Sequence, residues 1–522
     1  MISDLIIVLF AVIIWIALIY YFAPAIRKSK NFSPYGPALM VKITTNRGLL
    51  DRASKRFPGK GFSRVSVVIV IVSAIIAIAM LSYGIILGIL ELKSGVSSAA
   101  LPVTELIGLP GINPVIPIGY GAAALIFSVV IHEVFHGIVA RKHGIKVKSV
   151  GALFFIIPIG AFVEPDEDEM VKADPVVRRR IVAAGPGINI VIGVVAILAL
   201  IFLMGPSVHP LHSGAYLEES GSKQITVPTG SEIIKFGNYS GSRVNNLITN
   251  STLIPGKFYN VSYLDKGKEN NTSLAAGIMI ISTIQGYPAY NNLTPGGIIL
   301  TVNNLTITND TQLNSILDSV APGTSVNVSE AIFPKVSGTG FEVKNATIDT
   351  VSKYTYYAQN DPSANKASYK NESFIGITVD FAGLGTIPIS DLSPIITGGI
   401  IVKNPVSNFL GYLGLPFEGL SPVPSGVAAL FSVPFAPLVF WGILNTLYWL
   451  FWLNFLLGIT NALPFVVLDG GQFFRDTLFI GERRKSLSFL KNDKVKMGIS
   501  TFLNMLVFLL LFGSVILAVH GV

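Results

Sequence analysis

Six long apolar runs constrain this chain more than any other feature of its sequence. Each is close to the length of about 20 residues that a helix needs to cross a bilayer, so each is predicted to be a membrane-spanning helix. The first run lacks the basic start and the small-residue cleavage site of a signal peptide, so we expect it to remain as a span. The composition agrees, since 51% of the residues are hydrophobic and 13% are charged, against about 25% charged in soluble domains. The predicted spans are 5–23, 66–90, 117–140, 181–205, 434–463 and 498–520.

The basic residues between these runs predict the orientation in the membrane. Loop 24–64 has ten Lys or Arg, loop 141–180 has eight and loop 472–496 has seven, whereas loop 91–116 has one. The positive-inside rule therefore places the three basic loops in the cytoplasm, and the two chain termini and the long insert 206–433 on the outer side. Because the net charge of +8 is spread over separate loops, nucleic acid is not a predicted partner.

Glycosylation sequons give a second indication of sidedness. Eleven N-x-[S/T] sequences lie between Asn238 and Asn371, and one other, at Asn31, lies outside that region. Such sequons mark surface loops on the glycosylated side of a membrane, which agrees with an extracytoplasmic insert. A β domain that is merely rich in Asn and Thr would give the same pattern.

The insert contains an internal repeat. Segments 230–263 and 296–330 both show glycine, a β-rich run, a polar turn, a helix-period stretch, Pro-Gly and a second β-rich run, at an offset of 66–67 residues. A recurring supersecondary unit is predicted. This order resembles the second half of a PDZ domain, and 277–297 resembles the carboxylate-binding strand and loop of such domains. PDZ modules bind peptides by strand addition, although the two copies could instead be spacers or lids.

The third run carries polar residues where lipid is expected. It ends in "FSVVIHEVFHGIVARKH", in which His132 and His136 share one helix face and Glu133 points to an adjacent side. The H-E-x-x-H pattern is typical of two imidazoles on Zn²⁺ with a glutamate as general base. Three buried polar groups in an apolar helix also need compensation, which favours a metal site. His143 lies beyond the helix and is expected to be solvated.

A third metal ligand is predicted far along the chain. Catalytic zinc usually has three protein ligands and a water, and the chain has no cysteine, so the third must be His or a carboxylate. Asp469 is an acid in the apolar run "PFVVLDGG" near the cytoplasmic end of another span. Pro464 breaks the helix there, and Gly470 and Gly471 let the backbone turn. Asp469 could alternatively be a helix-end acid in the headgroup region.

Three segments together resemble a known family. "VVIHEVFHGIVA", "AAGPGINI" (183–190) and "NALPFVVLDGGQ" (461–472), in that order, resemble the site-2 protease family of intramembrane zinc metalloproteases, most closely its animal-type branch. The resemblance implies that His132, His136 and Asp469 bind zinc and that Glu133 is the base. It also implies that PDZ-like modules are inserted between the catalytic segments.

Further residues are candidates for handling a substrate. Segment 146–164 is predicted to be a β-hairpin that re-enters the membrane, and its edge could pair with an extended substrate, as the resemblance also implies. A purely structural hairpin is the alternative. Asn461 is a candidate to hold the substrate backbone or the oxyanion. Asn189 could do the same or could bond between helices.

The predicted fold is a polytopic α-helical membrane protein with about six transmembrane helices. It includes the re-entrant β-hairpin and an extracytoplasmic insert of two PDZ-like α+β domains. The predicted divisions are 1–116 (two N-terminal helices and a basic loop), 117–205 (catalytic core, first part), 206–275 and 276–385 (the PDZ-like domains), 386–433 (an interfacial segment), 434–475 (catalytic core, second part) and 476–522 (a cytoplasmic loop and the last helix).

The predicted function is intramembrane proteolysis in the cell membrane. The substrates would be transmembrane or membrane-anchored proteins, trimmed first by another protease, and Glu133 would activate a water held at zinc. The active site would lie toward the cytoplasm. Two alternatives remain at this point: a non-catalytic scaffold that binds peptides through the PDZ-like domains, and a metal transporter.

Overall fold

The structure is a computed structural model that describes residues 2–29, 31–43, 48–57, 59–94, 103–106, 108, 110–155, 157–221, 226–333, 340–360 and 365–519. The chain divides into two compact units. The membrane unit comprises Met1–Ala199 and Asn445–Val522, and the insert unit comprises Leu200–Leu444.

The elements alternate between long apolar helices and short strands. The helices are α1 (Ile2–Lys28), α2 (Gly48–Arg56), α3 (Gly59–Ser94), α4 (Ile118–Lys142), α5 (Glu167–Lys172), α6 (Pro175–Val182), α7 (Ala184–Ala199), α8 (Leu247–Asn250), α9 (Asp310–Ser319), α10 (Lys353–Asn360), α11 (Ile389–Thr397), α12 (Pro405–Gly414), α13 (Ser425–Ala428), α14 (Pro437–Asn461), α15 (Asp469–Gly481) and α16 (Asp493–Val519). The strands are β1 (Phe32–Tyr35), β2 (Ala38–Ile43), β3 (Val147–Phe155), β4 (Ile157–Pro165), β5 (His209–Pro210), β6 (Ala215–Ser220), β7 (Glu232–Phe236), β8 (Tyr239–Ser240), β9 (Phe258–Asp265), β10 (Lys268–Ala275), β11 (Ile278–Thr283), β12 (Ile298–Val302), β13 (Leu305–Thr306), β14 (Ser325–Ile332), β15 (Glu342–Asp349), β16 (Val351–Ser352), β17 (Ser373–Phe374), β18 (Ile377–Phe381), β19 (Leu384–Pro388) and β20 (Phe431–Ser432).

Five helical stretches in the described part of the chain are long and apolar enough to cross a membrane. They match five of the six predicted spans. The first predicted span, 5–23, is helical within α1 but is not one of the five, so its membrane crossing stays a prediction. The five are Gly59–Leu90, Ile118–Lys142, Pro175–Ser207, Pro437–Asn461 and Asp493–Val519.

Large apolar side chains cover the outside of these helices. In α16, only 6% of the most apolar stretch is buried within the protein, and Phe502 and Met505 are more than half exposed. α3 exposes Val68 and Ile75 in the same way. Apolar faces this extensive need a non-aqueous environment, so the membrane unit belongs in a bilayer.

The predicted pairing of 146–164 as a β-hairpin is confirmed, and the hairpin belongs to a larger sheet, whereas its re-entry into the membrane stays a prediction. β3 and β4 pair antiparallel, in a segment rich in the Val, Ile and Phe residues that favour strands. The N-terminal hairpin of β1 and β2 extends this sheet, because β2 pairs with β3. The strand order is β1-β2-β3-β4, so β4 is an end strand.

Helix packing in the membrane unit brings together segments that are far apart in sequence. α4 packs against α7 and against β4, while α15 packs against α6. A buried cluster lies between these elements and includes Phe135 and Val139 of α4, Ile181 of α6 and Ala184 of α7. Burial of such side chains contributes about 1.5–3 kcal/mol each and fixes the spacing of α4 and α7.

The insert unit contains two six-stranded sheets with matching strand order. The first sheet runs β10-β9-β7-β6-β19 with β8 beside β7, and the second runs β15-β14-β12-β11-β18 with β13 beside β12. The repeated helix-period stretches form helical turns at 241–250 and at 310–319, which confirms the predicted repeat. One continuous core joins both sheets, and Phe236 of the first sheet packs edge-to-face on Phe381 of the second.

The last strands of the two sheets are adjacent in sequence. β18 completes the second sheet, and β19 returns to pair with β6 of the first sheet. The second copy is thus nested inside the first, and the predicted boundary at 385/386 falls within β19. β11 lies in the segment that resembles a carboxylate-binding strand. It pairs with β18 from Ile278 to Thr283 but with β12 only at Ile278 and Met279. The end strands of the first sheet are β10 and β19, and those of the second sheet are β15 and β18.

The helices of the predicted interfacial segment 386–433 are short. α11 has nine residues and α12 has ten, about half the length that crosses a bilayer.

Candidate metal centre

α4 presents both predicted histidine ligands on one face. His132 and His136 are four residues apart, and their ring centroids are 4.8 Å apart in an edge-to-face arrangement. Both side chains are largely inaccessible, since that of His132 is 8% exposed and that of His136 is 12% exposed. α4 forms here because its sequence has no proline and is apolar, and it ends near Gly144, which has a φ of +85°.

Asp469 is the first residue of α15 and follows a tight loop. α14 ends at Asn461, and the loop after it is held by the amide of Val466, which donates to Asn504 Oδ1 on α16 at 2.6 Å. A Cβ at Gly470 or Gly471 would collide with the carbonyl oxygens of Leu463 and Phe465. The two glycines therefore permit close approach of the helix start to the loop. Neither glycine has a positive φ, so both are needed here for the space they leave and not for a left-handed conformation.

The structure brings the three predicted ligands together. Asp469 Oδ2 lies 2.9 Å from His132 Nε2 and 3.1 Å from His136 Nε2, although these residues are more than 330 positions apart in sequence. Ligand atoms of His132, Glu133 and His136 also lie within 4.8 Å of one another. Two atoms on one tetrahedral zinc ion are about 3.3 Å apart, so this spacing is close to that of a zinc site.

The tautomer of His136 supports a cation at this point. His136 Nδ1 lies 2.8 Å from the carbonyl oxygen of Ile181, which can only accept, so Nδ1 carries the proton and donates. In the neutral ring, Nε2 then presents a lone pair toward the Asp469 carboxylate. Two electron-rich atoms at this distance need a positive charge between them. The donor set of two imidazoles and one carboxylate fits zinc, and the Ile181 contact is the usual way to orient a metal-binding histidine.

Gly185 leaves the space that these ligands occupy. A Cβ at this position, in α7, would lie 2.6 Å from His132 Nε2 and would also collide with His136 Nε2. Real Cβ atoms do not approach other atoms this closely. The glycine in "AAGPGINI" is thus explained by the close approach of α7 to the two imidazoles.

Glu133 is held beside the ligands by the hairpin. The amide of Val163 in β4 donates to Glu133 Oε2 at 3.0 Å. This hydrogen bond orients the carboxylate, and it links the end strand of the sheet directly to α4. The sequence gives no signal for it, because the donor is a backbone group.

The two predicted substrate-binding residues differ in their surroundings. Asn189 is fully buried in α7, and neither its amide oxygen nor its amide nitrogen has a hydrogen-bond partner within the described ranges. Asn461 is half-buried, and its amide nitrogen donates to the Leu457 carbonyl of its own helix at 3.0 Å. Their roles stay predictions.

α6 contacts both His136 and the helix that carries Asp469. This role was not recognised from the sequence. Ile181 in α6 orients His136, and Arg178 in α6 donates to Asp476 Oδ1 of α15 through Nε at 3.0 Å and Nη2 at 2.8 Å. Asp476 is 1% exposed and lies seven residues after Asp469, on the same face of α15. Arg178 also donates to the carbonyl of Ala173 at 3.0 Å. The buried ion pair therefore fixes the helix that presents Asp469.

Two comparisons with known proteins bear on this site. The profile of Peptidase family M50 matches residues 120–509, a range that includes all three ligands and Glu133. An uncharacterized protein of Methanocaldococcus jannaschii is 32% identical over 280 residues, covering 51% of this chain and 69% of the relative.

Proposed function

Because the chain belongs to peptidase family M50, the family of site-2 proteases, we propose that it cleaves peptide bonds within or near the transmembrane segments of membrane-anchored proteins. M50 proteins are intramembrane zinc metalloproteases. The observation that carries the proposal is the approach of Asp469 Oδ2 to within 3.1 Å of Nε2 of both His132 and His136, next to Glu133. The "NALP…LDG" form of the last segment favours the animal-type branch.

Glu133 is the general base of the proposed reaction. When bound, zinc supplies Lewis-acid polarisation of a carbonyl and acidifies a water. Glu133 takes a proton from the attacking water, and the water oxygen forms a bond with the scissile carbonyl carbon. The C–N bond then breaks, and Glu133 returns the proton to the leaving amine. The hydrogen bond from Val163 keeps the carboxylate in place through both transfers.

The substrate must be extended locally before it reacts. Carbonyls in a helix are tied in i→i−4 hydrogen bonds, and unpaired backbone groups in lipid cost several kcal/mol each. We propose that β4 supplies replacement bonds, because it is an end strand and lies against α4 beside Glu133. A hairpin that only supports Glu133 is the alternative.

Asn189 and Asn461 are the proposed partners of the substrate backbone. The buried amide of Asn189 has no partner in the described part of the chain, so it has hydrogen-bonding capacity for a bound substrate. Asn461 precedes the loop that leads to Asp469, and its amide oxygen is the proposed acceptor for a substrate N–H.

The proposed orientation has the active site toward the cytoplasm. It follows from the basic loops 24–64, 141–180 and 472–496 and the charge-poor loop 91–116. The insert then faces the extracytoplasmic side, where its two PDZ-like copies would dock or filter substrates that another protease has already trimmed.

The test replaces Glu133 with Gln in protein reconstituted into liposomes. Single-span proteins that accumulate in cells with the Glu133→Gln variant serve as substrates. We expect cleavage to fall by about 10²–10⁴-fold because the general base is lost, while the zinc content stays unchanged. Glu167→Gln, an exposed acid on α5, is the matched control and should cleave normally. Undiminished cleavage by Glu133→Gln, or purified wild-type protein without zinc, would refute the proposal.

A further inference from the structure

A cavity of about 710 Å³ lies in the insert unit beside the first sheet. Its walls are largely apolar and include Leu211, Ile234, Leu264 and Leu430, with several glycines between them. Pockets that bind small molecules or side chains usually have volumes of about 300–1,000 Å³ and apolar walls with a few polar groups. The size and lining are therefore those of a site for an organic group rather than for a bare ion.

One buried acid is the main polar feature of this cavity. Glu232, the first residue of β7, is 1% exposed. Its Oε2 lies 3.2 Å from His212 Nδ1, and His212 is half-exposed at the cavity wall. Its Oε1 is buried and makes no hydrogen bond of good geometry among the residues that the structure describes, although the backbone of Gly214 lies beside the carboxylate and stabilises its charge in part. Burying a carboxylate with an incomplete set of partners is unfavourable.

The repeat shows that the fold itself does not need this acid. Glu232 pairs with Tyr216 and Leu264 across the first sheet. Ile298 holds the same register in the second sheet, where it pairs with Met279 and Ala331. Ile298 is fully buried, as expected for the centre of a sheet. An apolar residue therefore satisfies the packing at this position, and the acid in the first copy needs another explanation.

We propose that this cavity binds a primary ammonium or guanidinium group carried on an alkyl chain, with Glu232 as its counter-ion. The chemical class is a lysine or arginine side chain, or the free amino terminus, of a polypeptide. Methylene groups of such a ligand fit the apolar walls, and its cation supplies the hydrogen bonds that Glu232 Oε1 lacks. Glu269 at the rim adds a second negative charge, although Lys266 beside it opposes cations in part. This site belongs to the insert, and its existence does not depend on proteolysis at the metal centre.

The test measures binding of short peptide amides to the full-length protein in nanodiscs by fluorescence anisotropy. Four peptides differ in one group: acetylated with a central lysine, acetylated with a central arginine, acetylated with a central norleucine, and the norleucine peptide with a free amino terminus. We expect the cationic peptides to bind about tenfold or more tightly than the acetylated norleucine peptide. The lysine and free-terminus arms distinguish the side chain from the chain end as the source of the cation.

Two variants of Glu232 make the result specific. Glu232→Gln removes the charge with little change of shape, and Glu232→Ile copies the residue of the second sheet, so both should fold. Both should abolish the preference for cationic peptides. Glu342→Gln, an exposed acid in β15 that does not line the cavity, is the control, and it should change affinity by less than about threefold because exposed charges contribute little. Equal affinity for all four peptides, no binding up to millimolar concentration, or an unchanged preference in Glu232→Gln would overturn the proposal.

Discussion

At the scale of single residues, the candidate metal centre requires glycine, which has no Cβ, at position 185. Gly185→Ala would place a Cβ against Nε2 of both His132 and His136. Since α4 and α7 pack through a buried cluster, the rings rather than the helices must move. We expect zinc affinity to fall by about 10–100-fold, as for other changes that misorient metal ligands.

Competition with a chromogenic chelator measures this effect. Gly193→Ala, in the same helix, is the control, because its Cβ would lie 3.4 Å from the Phe451 carbonyl oxygen, which is ordinary contact. This variant should retain zinc. If Gly185→Ala binds zinc as tightly as Gly193→Ala, then the proposed ligand arrangement is wrong.

Glu232 gives a second prediction at this scale, for the dependence of stability on pH. Burial raises the pKa of the Glu232 carboxyl above its ordinary value of 4.5, against the opposing effects of His212 and the Gly214 backbone. The stability due to the protonated carboxyl is complete below pH 4.5 and is lost as the pH rises through the raised pKa. Glu232→Gln removes this loss, so its stability advantage over the wild type should grow from pH 4.5 upward.

Hydrogen exchange of residues 232–236 in the full-length protein provides the measurement. Protection factors are compared at a series of pH values, because they correct for the intrinsic exchange rate. All other titrating groups are the same in the two proteins, so a difference between their pH profiles reports on Glu232. Parallel pH profiles for the wild type and Glu232→Gln would contradict the raised pKa.

At the scale of secondary-structure elements, α6 determines the placement of α15. Breaking a buried ion pair costs about 3–5 kcal/mol, because the remaining charge is left without a partner. Arg178→Met should therefore destabilise the membrane unit by about this amount and lower zinc affinity, since Asp476 shares a helix with Asp469.

Arg483→Met is the matched control for this pair. Arg483 donates to Asp174 at 2.9 Å, but both side chains are about half exposed, and such pairs contribute about 0–1 kcal/mol. Zinc titration and denaturant unfolding in detergent distinguish the two variants. An equal and small effect of both substitutions would show that α6 does not position Asp469.

The ligands could be predicted from the sequence, whereas the residues that position them could not. His132, Glu133 and His136 are recognisable because helix periodicity and apolar surroundings are local properties. Asp469 was recognisable as an acid in an apolar run. The supports of the site were not recognisable, because Val163 and Ile181 act through backbone atoms. Arg178 is one of three consecutive arginines, which the sequence analysis counted only as an indicator of membrane topology. Its ion-pair partner, Asp476, lies 298 positions away, so the sequence gives no sign of the pair.

At the scale of the whole molecule, the nested repeat predicts that the two sheets unfold together, because they share one core. Phe381 ends β18 of the second sheet but packs on Phe236 of the first. Phe381→Ala should cost about 3–5 kcal/mol and should increase hydrogen exchange in β7 as well as in β11. Val326→Ala, a fully buried change in β14, is the control and should affect mainly the second sheet. Faster exchange confined to the second sheet in Phe381→Ala would show that the copies are independent.

The amino-terminal strands β1 and β2 should be kept in any shortened form of this protein. Both strands lie before the region that matches the family. β2 nevertheless pairs with the β3 edge of the hairpin, whose other strand, β4, binds Glu133. A truncated form that begins at residue 120 would expose the backbone of β3 and invite pairing with other molecules. In the intact chain β2 occupies that edge of β3, so the hairpin's end strand in this sheet is β4.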